Sequence, residues 1–369
     1  MKNFIVSKSR RVRSTTFTSR IEKQGVKSYT VYNHMLLPTT FCTPEEEYVH
    51  LKEHVQVWDV SVQREIEISG KDSYKLIQLM TCRNLSGSKI GSCYYAPLVD
   101  AKGGLINDPL IYKLENDRWR VCIADSDVIL FAKGIAEAKN LNVNIFETNI
   151  DTLAVQGPKS FKLMEKVFGE KISKLNFFKF DFYEFNKNKF LISRSGYSKQ
   201  GGFEIHTDNV ESALDLYDYL FKIGEPFNLR PGAPNHPERI EGGLLSYGND
   251  MDNGDNPFEC GFEKYVNLES DIIFLGKESL INIKKKGIER KLMGVKINTK
   301  TIDLSLSCFI NDENGNRVGE LRSGAYSPKF KMIVGIAMLK KNFTKPGYKF
   351  KINRNGNTIS GEVCNLPIK

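Results

Sequence analysis

Two carboxylates are set in apolar stretches bent by glycine. Asp108 lies in Leu105-Ile106-Asn107-Asp108-Pro109-Leu110-Ile111, and Glu204 lies in Gly201-Gly202-Phe203-Glu204-Ile205. A carboxylate among apolar side chains must be partnered or must do chemistry. For Asp108 two readings stand side by side. It either hydrogen-bonds the neighbouring turn and marks where Pro109 stops a strand, or it is the acid of a pocket walled by Tyr95 and Tyr112. Two such acids among aromatic residues suit a planar heterocycle with adjacent N–H donors, because one carboxylate accepts two parallel hydrogen bonds while rings cover the faces.

The elements that must position these acids are legible in the chain. Tyr94 to Tyr112 alternates apolar and polar residues on either side of Asp100-Ala101-Lys102-Gly103-Gly104, which predicts a β-hairpin with Gly103 and Gly104 at positive φ. Ser195 to Gly202 reads as a glycine-rich loop feeding a strand that carries Glu204. Thr43-Pro44-Glu45-Glu46 predicts a capped helix start, and Asp208 to Glu211 a second capping box. Further helices are expected over Asp72 to Cys82, Asp125 to Asn140 and Lys159 to Phe168, the last ended by Gly169. The strict alternation of Arg64 to Gly70 predicts a half-buried strand. From about residue 290 short strands predominate, with Asn314-Gly315 and Asn355-Gly356 as turns, as in a small β-barrel or sandwich. Lys284 to Lys286, followed by Arg290 and Lys291, reads as a linker. Arg239 and Glu241 read as an internal ion pair bracing a helix.

At 369 residues the chain is too long for one ordinary core, so two or three domains are expected. No segment nears the roughly 18 unbroken apolar residues of a membrane helix, and Phe4 to Val6 is too short a core for a signal peptide. A cytoplasmic protein is expected. Its seven cysteines form no CxxC pair and read as reduced core residues. His50 and His54 stand at metal-ligand spacing but read as a solvated helix face, so no metal is expected. The net charge of +9 invites a nucleic-acid reading, but the lysines are scattered and the same charge would draw an anionic small ligand, so its sign alone decides little. There is no phosphate-binding GxxxxGK[ST], no dinucleotide GxGxxG on a strand-to-helix turn and no GxSxG elbow.

The chain resembles the folate-dependent aminomethyltransferases, the glycine-cleavage T-protein and its relatives. The matching blocks are Trp58-Asp59-Val60-Ser61, Gly103 to Asp108, Ala154 to Pro158, Ser195-Gly196-Tyr197 with Gly202-Phe203-Glu204, Arg239-Ile240-Glu241 with Tyr247 to Asp252, and Gly319 to Gly324 with Ser327-Pro328. The resemblance implies an α+β fold, a three-domain ring around a folate channel that ends in a C-terminal small β-barrel. It divides the chain into a discontinuous folate-binding domain (1–57 and 147–262), a second domain (58–146) and the barrel with its linker (263–369). It also implies that Tyr95, Tyr112, Ile123 and Tyr197 surround tetrahydrofolate, that Asp108 sits by N5, and that Glu204 grips the pterin edge.

The departures from the aminomethyltransferase pattern fall in three places. Val62-Gln63 replaces a His-Met, Ala124 replaces an Asn, and Ala233 to Glu238 replaces Gly-Ala-Arg-Asp. The folate side is kept and the other substrate's side rebuilt, which resembles the dimethylsulfoniopropionate demethylase branch. That branch implies methyl transfer from a sulfonium to N5 of tetrahydrofolate, with Tyr95 or Trp58 as candidate faces for the cation. The rivals are a glycine-cleavage aminomethyltransferase and a non-catalytic folate-binding module. The expected partners are a small-molecule sulfonium, no nucleic acid and no membrane, with a homodimer left open.

Overall fold

The computed structural model of the protein describes residues 6–354 and 356–369. Met1 to Ile5, which hold part of the short apolar N-terminal run, lie outside the described residues, as does Asn355 of the expected Asn355-Gly356 turn.

Among the described residues the molecule is built on three large sheets, beside two two-stranded ones, Ser28–Tyr32 with Met35–Thr40 and Leu98–Val99 with Leu105–Asn107. In the first, six strands run in the order Phe180–Phe185, Asn188–Ser193, Gly202–Thr207, Asp151–Gln156, Val55–Asp59 and Leu229–Gly232. All neighbours are antiparallel except the last pair. One face is covered by helices Ser160–Phe168 and Val210–Gly224. The second helix forms because Ala213, Leu216, Tyr217 and Leu220 recur at helical spacing and bury one stripe. Its cap is Asn209, whose Oδ1 accepts from Ser212 N at 2.9 Å; the box expected between Asp208 and Glu211 does not form, because the cap falls one residue later and places Ser212 where the reciprocal acid would be needed. Thr43 and Glu46 do form the reciprocal capping box on Pro44–Glu53.

In the second sheet five strands run in the order Asn144–Glu147, Glu65–Ser69, Arg118–Cys122, Leu110–Lys113 and Ser92–Tyr95, packed against helices Ser73–Met80 and Val128–Ala138. Glu65–Ser69 is not half-exposed as its alternation suggests, for Glu65 to Ile68 are all buried. The reason is charge pairing. Arg120 Nε stands 3.2 Å from Glu65, and Arg118 Nε stands 2.9 Å from Glu67, so both carboxylates are covered by partners on the adjoining strand.

The third sheet is a closed barrel of Arg290–Ile297, Met332–Lys340, Arg317–Ser327, Cys308–Asn311, Lys349–Arg354 and Asn357–Cys364. The lysine run before it is not a linker. It forms the last turn of helix Lys277–Lys286, where cations complement the carbonyl end of the helix dipole, and Gly287 stops it. No helix among the described residues is long and apolar enough to cross a membrane.

Candidate functional site

The hairpin around Asp108 forms as expected, with a break. Ser92–Tyr95 pairs with Leu110–Lys113, and Leu98–Val99 pairs with Leu105–Asn107, so Ala96-Pro97 faces Asp108-Pro109 where the two ladders part. Proline supplies no donor at that point, which frees the Asp108 carboxylate from the regular pleat. Gly103 takes φ +85, whereas Gly104 does not turn left-handed. A side chain at Gly104 would instead meet the Asn253 carbonyl at 2.4 Å, so close approach is what requires glycine there. Asn107 fixes the strand end by exchanging two hydrogen bonds of 3.0 Å with the backbone of Ala124.

Asp108 and Glu204 line one cavity of about 1470 Å³, together with Tyr95, Ile123 and Tyr197. Asp108 Oδ2 accepts the Tyr95 hydroxyl at 2.8 Å. The Tyr95 ring is held against Tyr265 and Phe262, with centroids 5.1 and 5.6 Å away. Burial pushes the Asp108 carboxyl up to about 7, against the opposing hydrogen bond from Tyr95. Burial and then the charge of Asp108 push the hydroxyls of Tyr32 and Tyr95 well up, so both stay neutral donors. Tyr197 donates to the Leu245 carbonyl at 2.8 Å, which orients its ring at the wall.

Glu204 is buried on its strand, and Ser195 Oγ donates to its Oε2. Burial raises its pKa, opposed by His206 and by the Ser195 hydroxyl. Gly202 opens the strand that carries Glu204, and a Cβ there would lie 2.3 Å from the carbonyl of Val155 on the neighbouring strand.

Two expected residues are elsewhere. Tyr112 does not line the cavity; it is 1% exposed and stands behind Glu204, its hydroxyl 3.2 Å from Ser193 Oγ and 3.4 Å from His206 Nε2. The reason is register. Tyr112 lies two residues past Leu110, which does line the cavity, and two strand residues carry a side chain roughly 7 Å further along the same face. Trp58 is fully buried beside Leu51, Val60 and Ala154, with its indole N–H bonded to Gln56 at 2.8 Å, and offers no ring face to a ligand.

Arg239 and Glu241 are not paired with one another. Arg239 bonds Asp250 and Ser323, while Glu241 accepts from Tyr48 and Ser327, so these two side chains, about half a helical turn apart, have separate partners. His50 bonds the Asn228 carbonyl at 2.8 Å and His54 meets Lys159 Nζ at 2.8 Å. Among the described residues no group of three or more His, Cys, Asp or Glu side chains is placed to hold a metal ion. All seven cysteines are free.

Several wall residues were missed by sequence reasoning. Tyr32 ends the strand Ser28–Tyr32, whose burial does not alternate, and it lines the cavity beside Thr30. His236 lines the cavity and is pushed down to about 3 by burial and by Arg239, so it is a neutral imidazole. Phe178 and Phe177 line it too, stacked with centroids 4.2 Å apart, and Phe178 has φ +58, which no sequence pattern announced.

The family model "GCVT N-terminal domain" matches residues 17–270, and "Glycine cleavage T-protein C-terminal barrel domain" matches residues 290–368. The chain belongs to the glycine-cleavage T-protein family. T-protein family members are tetrahydrofolate-dependent one-carbon transferases, and this chain is one of the family's enzymes. It is 42% identical to the dimethylsulfoniopropionate demethylase DmdA of Ruegeria pomeroyi over 92% of each chain. It is 30% identical to an aminomethyltransferase of Bacillus cytotoxicus, over 90% of this chain and 91% of that one. The T-protein fold is shared with the aminomethyltransferase of the glycine cleavage system from Bartonella henselae. The TM-score is 0.86 over 96% of this chain and 97% of that one, at 22% identity.

Proposed function

We propose that this T-protein relative demethylates dimethylsulfoniopropionate, passing a sulfonium methyl to N5 of tetrahydrofolate. The observation that carries the choice of donor is where the sequence departs from the aminomethyltransferase pattern. Val62 and Gln63, Ala124, and Pro234 to Pro237 come from three distant stretches, and all of them line the cavity that holds Asp108 and Glu204. The rebuilt positions therefore border the space that a second substrate would share with the folate. The 42% identity to a protein named for this reaction supports the same donor.

The residues present fit a reduced pteridine. Among the described residues Ser195 alone donates to Glu204, on Oε2, which leaves Oε1 for adjacent N–H donors. Tyr32, Tyr95 and Tyr197 supply rings around a flat ligand or against a sulfonium, where a cation–π contact contributes about 0.5–2 kcal/mol. Lys199, Lys264 and Lys291 line the same cavity and favour anionic groups such as a glutamyl tail.

The chemistry asks little of acids and bases on the donor side. The sulfur leaves with the bonding pair and loses its charge, so no proton need be delivered to it. The methyl carbon bonds to N5, and the N5 proton must go elsewhere. Asp108, half-ionised near pH 7, is the group at hand to receive it. Alignment of donor and acceptor supplies the main acceleration, up to roughly 7–11 kcal/mol in ideal cases. The products are methylthiopropionate and 5-methyltetrahydrofolate. A cytoplasmic location belongs to the same proposal.

Incubation with tetrahydrofolate and dimethylsulfoniopropionate should yield those two products in equal amounts by mass spectrometry. Absence of 5-methyltetrahydrofolate, or transfer only from an aminomethyl donor, would overturn the assignment.

A further inference from the structure

Behind Glu204 lies a chain of buried polar side chains that the reaction itself does not use. Ser195 Oγ donates to Glu204 Oε2, and Ser193 Oγ stands 2.7 Å from Ser195 Oγ. His206 Nε2 stands 3.3 Å from Ser193 Oγ, and on its far side Nδ1 meets Glu65 Oε1 at 2.5 Å. Thr152 Oγ1 and Arg120 Nε complete the shell of Glu65, each at 3.2 Å. Every member is at most 9% exposed. Glu204 and His206 are two apart on one strand and so share a face, while Glu65 and Arg120 reach in from the second sheet.

With Glu65 and Glu204 ionised, the direction of the hydrogen bonds follows. Glu65 accepts only, so the proton on Nδ1 points to it, and Glu204 as a carboxylate also accepts only. The hydroxyls of Ser195 and Ser193 must then both point toward Glu204, and the last open acceptor, on Ser193, accepts a hydrogen bond from Nε2 of an imidazolium His206 or, beside a neutral His206, from Tyr112.

We propose that His206, clamped by Glu65 and Arg120, is a positioning residue that holds Glu204 as an ionised ligand group through a one-way relay of serine hydroxyls. This rests on the folate reading of the cavity. Such a relay is needed because an acid this deep would otherwise take up a proton and lose one of its two acceptor sites. Burial raises the Glu204 pKa, the His206 charge opposes it ahead of Ser195, and the Glu65 carboxylate works the other way. The remaining titratable groups near Glu204 are Cys93, Cys122 and Tyr112, all pushed up by burial and so neutral.

The test is the pH dependence of binding of 5-formyltetrahydrofolate to the full chain, by calorimetry from pH 5 to 9. Wild-type affinity should rise with pH to a plateau as Glu204 ionises. In His206→Gln the midpoint should move up by about one unit, giving about tenfold weaker binding below it and near-normal binding at the plateau. Ser195→Ala should shift the midpoint the same way, and it serves as the test if His206→Gln does not fold. A uniform loss at all pH values, or unmoved midpoints in both variants, would overturn the relay while leaving the folate reading intact. A wild-type protein without affinity for the folate at any pH would overturn the folate reading and the relay with it.

Discussion

Asp108 and Glu204 differ in what they touch, and the difference predicts separate phenotypes. Among the described residues one side chain, Tyr95, donates to Asp108, and burial pushes the carboxyl up to about 7, so as a proton acceptor it must be ionised to work. The sign follows: kcat/KM should climb tenfold per pH unit below about 7 and level off above it. Asp108→Asn should abolish that limb and lower kcat by about 100-fold or more, with folate affinity kept within about tenfold, as steady-state profiles and calorimetry would show. Glu204→Gln should instead weaken folate by at least about tenfold, since it loses a charge-assisted pair of hydrogen bonds. Normal folate affinity in that variant would sink the pterin role. Both acids were legible in the sequence because carboxylates between apolar neighbours are costly unless used. Tyr112 and Trp58 were not correctly read, because an aromatic's type says nothing of how far along a strand the cavity extends.

At the level of elements, the caps and glycines carry the information. Gly202 precedes Glu204 by two residues and packs against the Val155 carbonyl, with a would-be Cβ at 2.3 Å. Gly202→Ala should therefore cost about 2 kcal/mol or more in denaturant unfolding, by forcing the strand away from its neighbour. It should also weaken folate binding, because the strand it displaces carries Glu204; a variant as stable as wild type would contradict the packing. Helix starts with a local signal, such as Thr43 with Glu46, could be read directly. The lysine run at 284–286 could not, since the same cations suit a solvated linker and the carbonyl end of a helix. The burial of Glu65 and Glu67 escaped for a related reason: their arginine partners come from a strand more than 50 positions away.

Across the whole molecule the cavity depends on all three sheets. Glu204 comes from the first and Tyr95 from the second, with Asp108 and Ile123 in connections just before and just after its strands, while Leu292 and Met293 at the start of the barrel close a further side. Hairpins and turns foretold each sheet, but closure between them rests on contacts remote in sequence, which periodicity does not encode. The family resemblance supplied that closure, and the three scattered departures come to line one cavity only once the chain is folded. The central claim is that one folate lies in this cavity with its edge on Glu204 and its reactive nitrogen beside Asp108. A crystal structure of the protein with tetrahydrofolate tests it most directly. Density for the pteridine between these two acids, with tyrosine rings against it, is the expected result; a pteridine bound elsewhere, or in the cavity but touching neither acid, would contradict it.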